Sequence, residues 1–385
     1  MKKVVKSIWK ESLYRNSFYL ILNSCIMSLF GFVFWTLAAK NFSSEDVGLA
    51  TAVISAIALV TNISLLGFTV SILRFKDKSL NYTSLIVCSF VSFFISIAFL
   101  LGVNIFSPNL DFLTSSWAYV LAFIICTILN VAYALTNPML IAEERGDIVL
   151  AKDTLFSVTK VLLILFISGF VGLLVAWYVG ILLALLLSLI CSNIEPKWYE
   201  LKKVFHFSLY NYASTLLGVL PTLVLPLIVF HYMGASSAAY FYVAWMIAGL
   251  LLIVPTSIAQ NLLSSGKKRN IKKAYLASLI VVGFGIFCIF LFGKILLSFF
   301  SEEYLQALGL LCLLSVSAIP YAIRSIYQTK LNMQGEVKKA MYLNLVVVII
   351  TLYGSLYFIQ YGFPAIALSW FIGNGISLVG VKYER

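Results

Sequence analysis

Two basic side chains, Lys160 and Arg324, stand inside long apolar runs, where a charge is expensive. A base within a membrane span costs at least about 2.5–3.5 kcal/mol on insertion scales, so such residues are rare and face protein interior or a wet cavity. Arg324 shares a helix face with Ser317, Tyr321 and Gln328, just past an expected bend at Pro320. Lys160 lies about 18 Å along its helix from Ile148, near mid-membrane, at 1.5 Å rise per residue. Arginine offers a planar fork that matches phosphate oxygens, and lysine a compact point charge. Together they suit a cavity that receives an anion. The competing reading is that one or both snorkel to the inner interface.

Amides supply the next set. Asn23, Asn62, Asn130 and Asn211 fall within apolar runs, where an unpaired amide is costly. They either line a wet cavity or pair across helices. Two polar faces accompany them. Ser208, Asn211, Thr215, Gly218 and Thr222 recur at helical spacing, as do Thr51, Ser55, Ala58 and Asn62. Small and polar residues also serve ordinary helix packing in membranes. Arg15 and Arg74 flank the mouth of the opening hairpin, to meet an anionic headgroup or to follow the orientation rule for positive residues.

Other chemistries lack their residues. Gly293-Lys294 has neither the upstream glycine nor the following Ser/Thr of a phosphate loop, and Gly283-Phe284-Gly285 fails the dinucleotide fingerprint. The six cysteines form no Cys-x-x-Cys and read as small apolar residues. His206 and His231 fall at opposite span ends. No cofactor, no metal site and no catalytic constellation is expected, so the chain reads as a non-enzyme.

The elements that must position these residues are membrane helices. The chain is 62% hydrophobic and 11% charged, against roughly 25% charged in soluble domains. Its net charge of +12 sits in short connections between apolar runs, which argues for a membrane surface over nucleic acid. Residues 2–15 have the spacing of a basic amphipathic helix on an anionic leaflet. The first apolar run is too long for a signal-peptide core. Twelve spans are expected, near 16–40, 49–73, 80–104, 117–141, 148–168, 172–192, 207–231, 238–262, 274–297, 304–328, 340–360 and 363–381. On these boundaries Lys152 belongs to the 142–152 connection, and no acidic residue is read as lying mid-span. Of the 27 bases, 23 fall in one alternating set of ends and connections, while the other set holds Lys40 and Lys294 among five acids. Both termini are therefore expected in the cytoplasm of a cell in whose inner or plasma membrane the protein sits. Prolines 221, 226 and 255 are expected to bend spans seven and eight, as hinges or as static kinks.

The chain also repeats. At an offset of 191, Ser17 meets Ser208, Tyr19 meets Tyr210 and Gly48 meets Ala239. Arg145-Gly146-Asp147-Ile148 and Gln334-Gly335-Glu336-Val337 match at an offset of 189. An even number of spans per half makes the repeats parallel, with a substrate site between them. The expected organisation is a six-helix lobe over 1–192, a cytoplasmic linker over 193–206 and a second six-helix lobe over 207–385.

Asn16-Ser17-Phe18-Tyr19, the turn from Phe42 to Gly48, Leu65-Leu66-Gly67-Phe68 and Arg74-Phe75 resemble the polysaccharide (O-antigen) flippases. These belong to the multidrug/oligosaccharidyl-lipid/polysaccharide exporter superfamily. The resemblance implies an all-α, MATE-like fold with two lobes around a central cavity. It also implies movement of a polyprenyl-diphosphate-linked oligosaccharide between leaflets, with polymerase and chain-length machinery as partners. A cation-coupled multidrug exporter of the same fold is the alternative, although that chemistry calls for an intramembrane carboxylate. A sugar-chain polymerase or ligase would need larger outer loops than these. A non-transporting membrane scaffold is the remaining alternative.

Overall fold

Hydrocarbon offers a backbone no hydrogen-bond partners, so an apolar run long enough to cross it satisfies its amides internally as a helix. The computed structural model describes residues 12–265 and 271–377. Its first helices are α1 (Ser12–Asn41), α2 (Ser44–Ser64), α3 (Phe68–Phe75), α4 (Lys78–Phe106), α5 (Trp117–Ala142), α6 (Gly146–Leu163) and α7 (Gly169–Cys191). There follow α8 (Leu201–Met233), α9 (Ala235–Ser265), α10 (Ile271–Ser298), α11 (Leu308–Val316), α12 (Ala318–Met333), α13 (Val337–Tyr357) and α14 (Phe363–Ile376). Ten described segments are long and apolar enough to cross a membrane, the last but one being the broken segment Glu302–Met333. This is a multi-pass membrane protein. Every expected span has a helical counterpart. The two outside the ten are α6, which carries four charges, and the 14-residue α14. The amphipathic segment expected at 2–15 lies almost wholly outside the described residues.

Local chemistry explains the ends and breaks. Ser43 caps α2 by accepting the Asp46 N–H at 3.1 Å, and Glu45 and Asp46 face the positive end of the helix dipole. The second span, expected as continuous over 49–73, is in fact two helices. Leu66 and Gly67 adopt φ of 46° and 80°, which closes α2 and restarts the chain as α3. The tenth is broken at Ser317, because Pro320 has no N–H for the Val316 carbonyl and its ring crowds that oxygen. Pro221, Pro226 and Pro255 lie inside helices that continue through them. The turn expected at 168–172 forms with Gly169 at φ 71°, and the Phe170 N–H donates to Asp46 Oδ1 at 3.0 Å.

The chain divides into two compact units, with the division inside α8 between Tyr212 and Ala213. The segment after α7 adheres to the first unit. The Asn193 amide donates to Glu143 at 2.9 Å, and the Tyr199 N–H to Thr83 Oγ1 at 2.8 Å. Within the first unit α1 packs on α6, α6 on α7, and α5 on α2, α4 and α7. Within the second, α9 packs on α10, α11 and α12, and α13 on α14.

The internal repeat is written into the turns. After α5, Glu144 takes φ 58° and the Arg145 N–H reaches back to the Leu140 carbonyl at 2.9 Å. After α12, Gly335 takes φ 77° and the Glu336 N–H reaches the Leu331 carbonyl at 2.9 Å. Both are left-handed helix stops with a six-to-one hydrogen bond. Their residue numbers differ by 191 throughout, so the sequence match at 189 is corrected: Glu144, not Gly146, is the partner of Gly335.

Candidate functional site

In the first unit α1, α5 and α6 bring four polar side chains together in an apolar surround. Asp153, on α6, is 3% exposed. Its carboxylate accepts from Asn23 of α1 at 2.8 Å, from the Tyr133 hydroxyl of α5 at 2.6 Å and from Lys152 at 2.8 Å. The Lys152 ammonium also lies 3.7 Å from the centre of the Tyr133 ring. The expectation that no acidic residue lies mid-span is corrected, since Asp153 falls near the middle of α6. Helix α6 begins at Gly146, which places Lys152 and Asp153 two turns inside it rather than in a connection. The signal that could have revealed them was the matching spacing of seven, Asn16 to Asn23 and Gly146 to Asp153.

That spacing reflects a polar seam between two helices that run parallel. Asn16 accepts from the Gly146 N–H, Asn23 donates to Asp153, and Ser157 bonds the Met27 sulfur, each across a separation of 130 residues. Gly146 is required at the first rung, since a Cβ there would meet the Asn16 amide oxygen at 2.3 Å.

Lys160 lies one helical step beyond this seam and is 2% exposed, so it does not snorkel. Its ammonium sits 4.3 Å from the ring centres of Phe156 and Trp177 and 5.1 Å from that of Phe34. Three aromatic faces thus stand in for a counter-ion.

The second unit builds its own centre. Arg324 of α12, 4% exposed, donates from Nε to Asn374 of α14 at 2.9 Å and from Nη1 to Asn344 of α13 at 2.6 Å. Its guanidinium carbon is 5.1 Å from the Tyr321 ring centre. Asn344 in turn donates to the Ser214 carbonyl of α8 at 2.8 Å, and Asn374 to the Trp370 carbonyl at 2.8 Å. No carboxylate among the described residues pairs with Arg324 or Lys160. Sequence reasoning missed Asn344, Asn374 and Ser214. The offset of 191 carries Asn23, Tyr133 and Asp153 onto Ser214, Arg324 and Asn344. The repeat therefore places two equivalent centres, one organised by a carboxylate and the other by a guanidinium. Buried charge among the described residues comes to three bases and one acid.

The remaining expected residues separate from these centres. Asn62 donates to its own helix at Ala58, and Asn130 to Thr61 at 3.0 Å. Gln328 is half-buried one turn beyond Arg324. Arg15 is exposed at the start of α1, and Arg74 is exposed at the end of α3, 5.9 Å from the Phe75 ring centre. The side chain of Asn211 lies outside the described residues. The six cysteines are unpaired, and no described group of His, Cys, Asp and Glu is placed to hold a metal ion.

No family model matches this sequence, and no curated protein matches it. Solved structures do. An inward-facing multidrug resistance MATE family transporter of the MOP superfamily aligns with a TM-score of 0.71 at 16% identity, covering 92% of each chain. An outward-facing form aligns at 0.64 and 16%, covering 96% of this chain and 93% of that one. A MOP superfamily transporter from Pyrococcus furiosus, for which reverse polarity of the binding pocket is said to suggest a different function, aligns at 0.62 and 16% with the same coverage. The fold is that of MATE transporters.

Proposed function

We propose that this protein is a flippase that moves a polyprenyl-diphosphate-linked oligosaccharide from the cytoplasmic to the outer leaflet by alternating access. The observation that carries this reading is the buried charge of the second unit. Arg324 is a permanent cation held by neutral amides with no described carboxylate beside it, so an anionic ligand would meet an unneutralised charge there. A diphosphate would supply the countercharge, and guanidinium–phosphate hydrogen bonds are among the strong, charge-assisted ones. Lys160, sheathed in rings, adds a second buried positive charge in the first unit. The fold supports alternating access, since solved structures of it include inward-facing and outward-facing forms. The reversed pocket polarity described for the Pyrococcus furiosus protein, said to suggest a different function, is a precedent for a change of pocket charge on this fold. The protein would sit in the cell membrane with both termini cytoplasmic and pass its product to polymerase and chain-length machinery. The test is flipping of a fluorescent lipid-linked oligosaccharide in reconstituted vesicles. Arg324→Gln keeps an amide donor near the Nε position and removes the charge, and is expected to slow flipping by about tenfold or more, the worth of one charge-assisted hydrogen bond. Wild-type rates at equal reconstitution would refute the assignment.

Asp153 favours a second reading, a cation-coupled exporter, because it supplies the carboxylate that such coupling needs. Against it, the Lys152 ammonium already occupies that carboxylate at 2.8 Å. Efflux of a cationic dye that responds to an imposed proton or sodium gradient, and is lost in a stably reconstituted Lys152→Met/Asp153→Asn double variant, would establish it.

A further inference from the structure

A polar depression of about 460 Å³ lies at the start of α1 and is not used by either buried centre. Arg15, Asn16 and Tyr19 form one wall, and Glu144, Arg145 and Asp147 of the α5–α6 turn form the other. Glu143, which also lines it, is bound to Asn193. The side chains of Arg15, Glu144 and Asp147 make no hydrogen bond or ion pair with described residues, although they share one cavity. Three acids against two bases leave the cavity weakly negative, which disfavours an anion. The acids are not grouped to hold a metal ion. Donors, acceptors and a tyrosine ring are interspersed, as recognition of ring hydroxyls requires, and the volume falls within the usual range for small-molecule sites.

The repeat provides an internal control. At the equivalent turn of the second unit the left-handed position is Gly335, the residue such a stop favours, whereas the first unit places Glu144 there at φ 58°. A glutamate in a glycine's conformation is strained, and strain of this kind collects where a side chain is needed. We infer that this depression is a saccharide site, taking a neutral or amine-bearing sugar ring at the mouth of the first unit. The inference rests on the flippase reading for its cargo and adds a glycan contact separate from the diphosphate contact at Arg324.

The experiment uses full-length protein in detergent micelles and saturation-transfer NMR with N-acetylglucosamine, glucosamine, galactose and glucose 6-phosphate. At least one of the first three should take up saturation at its ring protons, and glucose 6-phosphate should not. Glu144→Gly should fold at least as stably, because it relieves the backbone, yet bind about tenfold more weakly for one lost charge-assisted contact. Asp147→Asn, which keeps shape, should weaken binding likewise. Absence of any sugar signal in the wild type, preferred binding of the phosphate, or wild-type affinity in both variants would overturn the site. Flipping measured in parallel separates the two ideas. Sugar binding that both variants weaken, without flipping, supports the site and overturns the transport reading. Flipping without sugar binding overturns the site alone.

Discussion

Asp153 and Arg324 are the side chains on which the two units turn, and only one of them could be read from the sequence. Arg324 and Lys160 stood out as lone charges in apolar runs. Asp153 did not, because its neighbour Lys152 looked like the last base of a connection, and burial became visible only once Gly146 was placed as the start of α6. The amides that hold Arg324 were equally hidden, since nothing in their local sequence separates Asn344 and Asn374 from packing residues. Breaking one partner of a buried ion pair strands the other. Asp153→Asn should therefore destabilise the protein by about 3–5 kcal/mol, while Lys152→Met/Asp153→Asn, which removes both charges and keeps an acceptor for Asn23 and an amide donor toward the Tyr133 hydroxyl oxygen, should recover most of the loss. Thermal unfolding in detergent would show the single variant melting well below the double; equal melting would mean the pair is not buried as described. At the surface, Asp77 caps α4 by accepting from the Ser79 N–H and hydroxyl at 2.8 and 2.6 Å. Bonds to the Ser79 hydroxyl and then its N–H hold the carboxyl below its ordinary range. A lowered folded-state pKa gives stability that is full above the unfolded value and fades as pH falls through the folded one. Asp77→Ala should cost about 1 kcal/mol at neutral pH and less in acid, and Asp77→Asn should cap without the pH dependence, read from melting temperature across the acid range.

At the scale of elements, the helices were legible because apolar length alone dictates them, and the breaks only where a proline or glycine marks one. Pro320 announced the division of the tenth span; Gly67 did the same for the second only after its φ of 80° was known. The α1–α6 seam left only the matching spacing of seven as a trace, because its rungs lie 130 residues apart and each is unremarkable alone. Gly146 is its tightest point. Gly146→Ala forces the Asn16 amide away and should cost about 1–3 kcal/mol, as overpacking does. Adding Asn16→Ala should restore part of that loss in a double-mutant cycle on thermal stability, and strict additivity would show that the two do not touch in solution. A similar constraint holds in the second unit, where a Cβ on Gly373 would meet Thr351 Oγ1 at 2.6 Å.

For the whole molecule, class and repeat were readable from the sequence, and the cargo was not. A charged fraction of 11% with +12 in short connections defines a polytopic membrane protein, and an offset of 191 defines its doubling down to the hydrogen bonds of a turn. Similarity at 16% identity supplies the transporter fold; what it carries must be argued from charge. Three buried bases against one buried acid, with Arg324 surrounded by amides, make an anionic lipid-linked cargo the central claim. The most direct test compares wild type and Arg324→Gln for flipping of a lipid-linked oligosaccharide in vesicles, with the dephosphorylated glycolipid as control. The account predicts flipping of the diphosphate form by wild type, a fall of about tenfold or more in the variant, and little transport of the control by either. Equal rates for wild type and variant, or equal transport of both lipids, would contradict it.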